Sequence, residues 1–168
     1  RSKYTDKIRT LIAKHDLGKR VFLPGEISEA EKNWMFENCK AFVFPSLSEG
    51  FGLPVVEAMH FGKPVILSKL TSLPEIGGDE ATYLDNFLPE EIANKIEISI
   101  KNDTPERQKL LKNRASLFSW EKAAEQYLEI YFGSWNNVFS CKNGIFRITY
   151  TKSNEFRTCI GKSWGYNN

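Results

Sequence analysis

Residues Ala41-Phe42-Val43-Phe44-Pro45-Ser46-Leu47-Ser48-Glu49-Gly50-Phe51-Gly52-Leu53-Pro54-Val55-Val56-Glu57-Ala58-Met59 decide the fold. The apolar run Ala41 to Phe44 reads as a buried strand. A loop with two glycines follows, and a helix is expected to open at Pro54, whose fixed φ and missing N–H suit the first helical position. This strand–loop–helix order leaves free backbone N–H groups and a positive helix end beyond the strand's carboxyl edge, a place that suits an anion such as phosphate. Gly50 and Gly52 are expected to permit close backbone approach and positive φ. Glu49 and Glu57 bracket the loop. A carboxylate cannot hold a phosphate, but an ionised Glu accepts two or more O–H hydrogen bonds, so the hydroxyls of a sugar are its natural partners. A phosphate site flanked by two hydroxyl-reading carboxylates describes a nucleotide-sugar pocket.

Outward from this stretch the chain alternates helices and strands. Residues 4–17 place Ile8, Leu11, Ile12 and Leu17 on one helical face, with Gly18 as a C-terminal cap. Val21-Phe22-Leu23 reads as a short strand ending in Pro24-Gly25. Ser28 and Glu31 form a capping box that opens a helix to about Cys39. Beyond the turn at Phe61-Gly62-Lys63-Pro64, Val65-Ile66-Leu67 is another apolar strand, and Ala81 to Leu84 a last short one. Strands that read as apolar runs, alternating with helices, predict a parallel sheet covered on both faces: a Rossmann-like, doubly wound α/β domain. Three helices follow. One starts at Pro89 and carries Ile92, Ile96 and Ile100. A second is capped by Thr104 and carries Leu110, Leu111 and Leu117. The third is capped by Ser119, with Ala123, Ala124, Tyr127, Leu128 and Tyr131 inward and Gly133 closing it.

Composition narrows the class. At 168 residues, 41% of them hydrophobic and 26% charged, the chain is long enough for one soluble domain with a core. A net charge of +2, evenly spread, argues against nucleic acid as a partner. No apolar run reaches the ~18 residues of a spanning helix. Cys39, Cys141 and Cys159 lack metal-ligand spacing and read as buried thiols of a reduced, cytoplasmic protein. His15 and His60 have no partner motif and read as structural.

The string from Ser46 to Ile66, with its Glu49-x7-Glu57 spacing, resembles the donor-site signature of group 1 (family 4) retaining glycosyltransferases. The likeness continues into Leu73-Pro74-Glu75 and Phe118-Ser119-Trp120-Glu121, covering about residues 1–132. It implies the C-terminal half of a GT-B architecture, truncated at its N-terminus, with a nucleoside diphosphate sugar as donor, no other cofactor and no metal. Glu49 would sit under the transferred hexose and stabilise positive charge at the anomeric carbon. The N–H groups of Gly50, Phe51, Gly52 and Leu53 would contact sugar and phosphate, and Glu57 would accept the ribose hydroxyls. Each has a plainer alternative: Glu57 as a first-turn acid favoured by the helix dipole, Glu49 as a loop carboxylate capping N–H groups, the glycines as an ordinary turn, Phe51 as a packing residue. Pro24 to Ile27 lie either near the nucleotide base or in a mere connecting loop, and Glu75 would cap or brace a loop.

A glycan or lipid-linked acceptor would bind through an N-terminal domain that is absent here. The resemblance also implies that the basic residues neutralising the pyrophosphate lie in that absent part, and no Lys or Arg occurs between Lys40 and Lys63, local to the glycine loop, to replace them. The chain alone is therefore expected to be inactive, and the full enzyme is expected to associate peripherally with membranes. The domain is expected over residues 1–133. In the tail, 134–168, Phe146, Ile148 and Tyr150 alternate with polar residues and predict a β-hairpin with Glu155 to Ile160 across Lys152-Ser153-Asn154. The alternative from another class is a non-enzymatic nucleotide-sugar-binding or self-associating scaffold domain. A glycogen-phosphorylase-like enzyme would need a cofactor lysine that has no place here.

Overall fold

The computed structural model describes residues 3–132, together with the backbone of 138–142, 145–152 and 155–162. The chain divides into two compact units, Arg1–Ala115 and Ser116–Asn168.

The first unit is built on a parallel sheet of β1 (Phe42–Phe44), β2 (Val65–Ser68) and β3 (Thr82–Leu84), in that spatial order. Phe42 is in register with Val65, and Ile66 with Thr82. All four residues of β2 are buried, as a central strand flanked on both edges and covered on both faces requires. Helix α3 (Leu53–His60) crosses from β1 to β2. From β2, α4 (Leu73–Gly77) and a 3-10 turn (Gly78–Glu80) lead to β3. After β3 come α5 (Pro89–Lys101) and α6 (Pro105–Ala115).

The alternation of side chains along a strand shows how both faces are covered. Tyr83 points to the α4 side, where its hydroxyl donates to the Gly78 carbonyl at 2.8 Å. Thr82 points the other way, its hydroxyl 3.2 Å from that of Ser99 on α5. Gly77 permits the tight seat of α4. A Cβ there would stand 2.6 Å from the Tyr83 hydroxyl and 2.8 Å from Leu67 Cδ1. Arg114 of α6 donates from Nε to the Ile76 carbonyl at 3.1 Å and from its guanidinium to the Glu75 carbonyl, satisfying the C-terminal carbonyls of α4. The core consists of Val55, Ala58 and Met59 from α3, Val65, Ile66 and Leu67 from β2, Leu73 and Ile76 from α4, with Leu84 and Leu111.

Helix α2 (Glu29–Asn38) opens with the expected capping box. The Ser28 hydroxyl accepts the Glu31 N–H at 3.3 Å, and Glu31 accepts the Ser28 N–H at 2.8 Å. The bond from the Ser28 N–H, with a second that the Ser28 hydroxyl donates to the carboxylate at 2.7 Å, holds the Glu31 carboxyl below its usual range. Phe36 fastens α2 to the sheet, edge-on to Phe42 (5.4 Å) and stacked on Phe61 (5.9 Å).

Several expectations are corrected. Val21-Phe22-Leu23 forms no strand, and the three side chains are exposed. An apolar triplet becomes a strand only where a neighbour offers a ladder, and β2 is the only described partner of β1. The first helix, α1 (Lys3–Lys14), ends sooner than expected and buries none of its residues. Helix α3 starts at Leu53, so Pro54 is its second residue. In the second unit, α7 (Trp120–Phe132) is capped by Ser119, whose hydroxyl accepts the Lys122 N–H at 3.2 Å. Tyr127 and Tyr131, expected inward, are exposed and stack on each other at 6.5 Å. Gly133 lies outside the described residues.

The tail pairs as expected and goes further. β5 (Ile145–Lys152) and β6 (Glu155–Lys162) are antiparallel, with Phe146 opposite Gly161 and Lys152 opposite Glu155. β4 (Val138–Lys142), not expected, pairs with the other edge of β5. Ser153 and Asn154 lie outside the described residues, as do the side chains of Cys141 and Cys159. Cys39 is half-buried, and burial raises its thiol pKa.

Candidate functional site

The loop between β1 and α3 leaves the sheet at its carboxyl edge, where ligands of open α/β sheets bind. The connection from β2 to α4, residues 69–72, leaves at the same edge. Three hydroxyls at and beyond the end of β2 hold the glycine loop. Ser68 Oγ donates to the Ser46 carbonyl at 2.5 Å. The Glu49 N–H donates to Thr71 Oγ1 at 3.1 Å. Ser72 Oγ donates to the Phe51 carbonyl at 2.8 Å and lies 3.4 Å from the Glu49 carbonyl. Sequence reasoning missed all three residues. The contacts span 21 to 23 positions, beyond any local pattern.

Glu49 is half-buried, and among the described residues no side chain bonds its carboxylate. The two glycines divide the expectation made for both. Gly52 takes φ 110° as the N-terminal flank of α3 and is buried against Leu73. Gly50 has no positive φ and open space around its Cβ position. Phe51 and Leu53 are exposed at the rim of the loop.

Glu57, one turn into α3, is half-buried, and its Oε1 accepts from Lys32 Nζ at 2.9 Å. Lys32 also reaches Glu29 at 2.9 Å, so α2 brings an ammonium to the carboxylate on α3. The sequence offered no sign of this cation, because Lys32 stands 25 positions away on another helix. Glu75, expected as a brace, contributes its carbonyl to Arg114. Pro24 to Ile27 form an exposed connection with Gly25 at φ 79°. Among the described residues no group of three or more His, Cys, Asp or Glu is placed to hold a metal ion. No helix there is long and apolar enough to cross a membrane.

This arrangement can receive an anion on the loop's backbone N–H groups and hydroxyls on its two carboxylates. Residues 1–117 match the sequence profile of the family described as "Glycosyl transferases group 1". The chain is 34% identical over 109 residues to the O-antigen chain mannosyltransferase B of Escherichia coli, a match covering 64% of this chain and 29% of that protein. It is 32% identical over 85 residues to the GDP-mannose-dependent alpha-(1-6)-phosphatidylinositol dimannoside mannosyltransferase of Mycobacterium tuberculosis, covering 50% of this chain and 22% of that one. Among solved structures it is similar to sucrose-phosphate synthase from Thermosynechococcus elongatus, with TM-score 0.69 and 28% identity, over 78% of this chain and 35% of that one. The chain thus spans about a third or less of the relatives it matches. On its profile match, its sheet and its likeness to enzymes of GT-B architecture, the chain belongs to the group 1 glycosyl transferases.

Proposed function

We propose that the chain carries the donor half of a retaining hexosyltransferase site, which passes a hexose from a nucleoside diphosphate sugar to a glycan or lipid-linked acceptor. Mannose is the hexose we favour, because the two relatives above are mannosyltransferases. The observation that carries the reading is the Glu49–Gly52 loop. Its backbone is fixed from behind by Thr71 and Ser72, while the Glu49 carboxylate bonds no described side chain. In this reading Glu57 accepts the ribose hydroxyls and Glu49 lies under the transferred sugar. As the sugar–phosphate bond breaks, negative charge grows on the leaving diphosphate, and loop N–H groups from Gly50 to Leu53 stabilise it. Positive charge grows at the anomeric carbon, close to Glu49. The acceptor hydroxyl attacks the face the diphosphate leaves, and its proton passes to the leaving phosphate. Two carboxylates with these separate tasks do not flank one scissile bond, unlike those of a glycoside hydrolase. The chain alone binds donor without transferring sugar, because the acceptor side lies in another domain.

A thermal-shift screen with GDP-mannose, UDP-glucose and ADP-glucose tests the reading. A ligand at 100 times its Kd adds about 2.7 kcal/mol of stability. We expect a shift with GDP-mannose that Glu57→Ala abolishes; no shift with any of the three sinks the proposal. A second reading, a self-associating scaffold, rests on a separate observation. Phe22 (76% exposed) and Trp34 (64% exposed) present aromatic surface to solvent.

A further inference from the structure

Two hydroxyls at the start of α4 depart from their ordinary local duties. Thr71 has φ 52°, a left-handed conformation that is a steric outlier for a β-branched residue. Glycine or asparagine would sit there more easily. Ser72 occupies the N-cap position of α4, yet its side chain makes no capping bond. Both hydroxyls are directed across the carboxyl edge of the sheet instead. Thr71 Oγ1 accepts the Glu49 N–H, and Ser72 Oγ donates to the carbonyl of Phe51 and approaches that of Glu49. One strained backbone and one uncapped helix serve the same three-residue target.

We propose that Thr71 and Ser72 are positioning residues for the Glu49–Gly52 loop, holding it in the ligand-receiving form before any ligand arrives. The inference rests on the donor-site reading above and adds two residues to it. Preorganisation is the physical gain. A loop already ordered loses less conformational entropy when it binds, and its dipoles need not reorganise around the developing charge. The clamp also sorts the donors. The Glu49 N–H is occupied by Thr71, so the N–H groups offered to an anion begin at Gly50. Ser72, by holding the Phe51 carbonyl, keeps an acceptor oxygen turned away from incoming phosphate.

Four variants of the full chain test this: Thr71→Gly, Thr71→Ser, Ser72→Ala and Ser72→Thr. Thr71→Gly relieves the strained φ while removing the acceptor, so a purely structural role and a positioning role separate. Hydrogen exchange at the amides of residues 48–53 in the free protein is the first readout, and calorimetric affinity for GDP-mannose the second. We expect Thr71→Gly to melt at or above the wild-type temperature. Its loop amides should nevertheless exchange faster and its affinity fall, each on the order of tenfold for one net hydrogen bond. Ser72→Ala should weaken both readouts similarly, and the two conservative variants should restore them to near wild type. Unchanged loop exchange in both Thr71→Gly and Ser72→Ala overturns the proposal, as does wild-type affinity in both. If Thr71→Gly fails to fold, the Ser72 pair still decides. If the wild-type chain binds no nucleotide sugar, the donor reading fails on its own, and the exchange readout still judges the clamp.

Discussion

Gly50 and Gly52 are indistinguishable as letters, two glycines around an aromatic, yet they do different work. At Gly52 the backbone requires φ 110°, and a Cβ would stand 3.1 Å from Leu73 Cδ2. At Gly50 neither condition holds. Gly52→Ala should therefore cost about 1–3 kcal/mol in urea unfolding, the scale of a left-handed non-glycine residue. Gly50→Ala should change stability by less than about 0.5 kcal/mol. Equal costs at the two positions would overturn this division. Which of two neighbouring glycines bears the strain depends on how α3 seats against α4, and no local pattern carries that. The placement of Glu49 and Glu57 around a strand–loop–helix was legible because that spacing is itself local. Their protein partners Thr71, Ser72 and Lys32 were not legible, because they arrive from elsewhere in the chain, the first two from the β2–α4 connection and the third from α2.

Elements followed their own physics where that physics is local. The capping box of α2, the Thr104 cap of α6 and the Ser119 cap of α7 all form as their residue types dictate. β1 and β2 were legible as apolar runs; Val21 to Leu23 misled because a run of three says nothing of whether a neighbour exists to pair with it. Ion pairs between elements are the least legible of all. Asp85, just past β3, accepts from Lys69, just past β2, and from Lys95 of α5 at 3.1 Å. Hydrogen bonds from the two ammoniums, Lys69 first, lower the Asp85 carboxyl from 3.8 to about 2. A carboxyl depressed in the folded state stabilises the fold above its unfolded pKa, and that contribution disappears as pH falls through the folded value. Unfolding experiments on wild type and Asp85→Asn should thus show wild type more stable at pH 7, with the gap closing between about pH 4 and pH 2. Because the site is exposed, 1 M salt should shrink the gap at pH 7. A gap independent of both pH and salt would remove the charge from the explanation.

For the molecule, the doubly wound α/β class was legible from the order of its elements, and the exposed surface was not. Tyr4, Leu11, Phe22, Leu23 and Trp34 lie exposed on the segments that precede β1, although their residue types read as core. If the self-associating reading holds, sedimentation velocity should show concentration-dependent dimers, and Phe22→Glu should shift the population towards monomer without lowering the melting temperature. A monomer at all concentrations would end that reading.

The spatial order of the first sheet has a consequence for how the chain comes into being. β1, β2 and β3 lie side by side in the order in which they are synthesised, and each crossover is short. No strand must leave a gap between neighbours for a later one to fill. A chain emerging from the ribosome can add β2 to β1 and then β3 to β2 as each appears, closing one small loop at a time. The residues that clamp the glycine loop lie between the second and third strands. The residues of the candidate site, Glu49 to Ser72, therefore all precede β3 in order of synthesis.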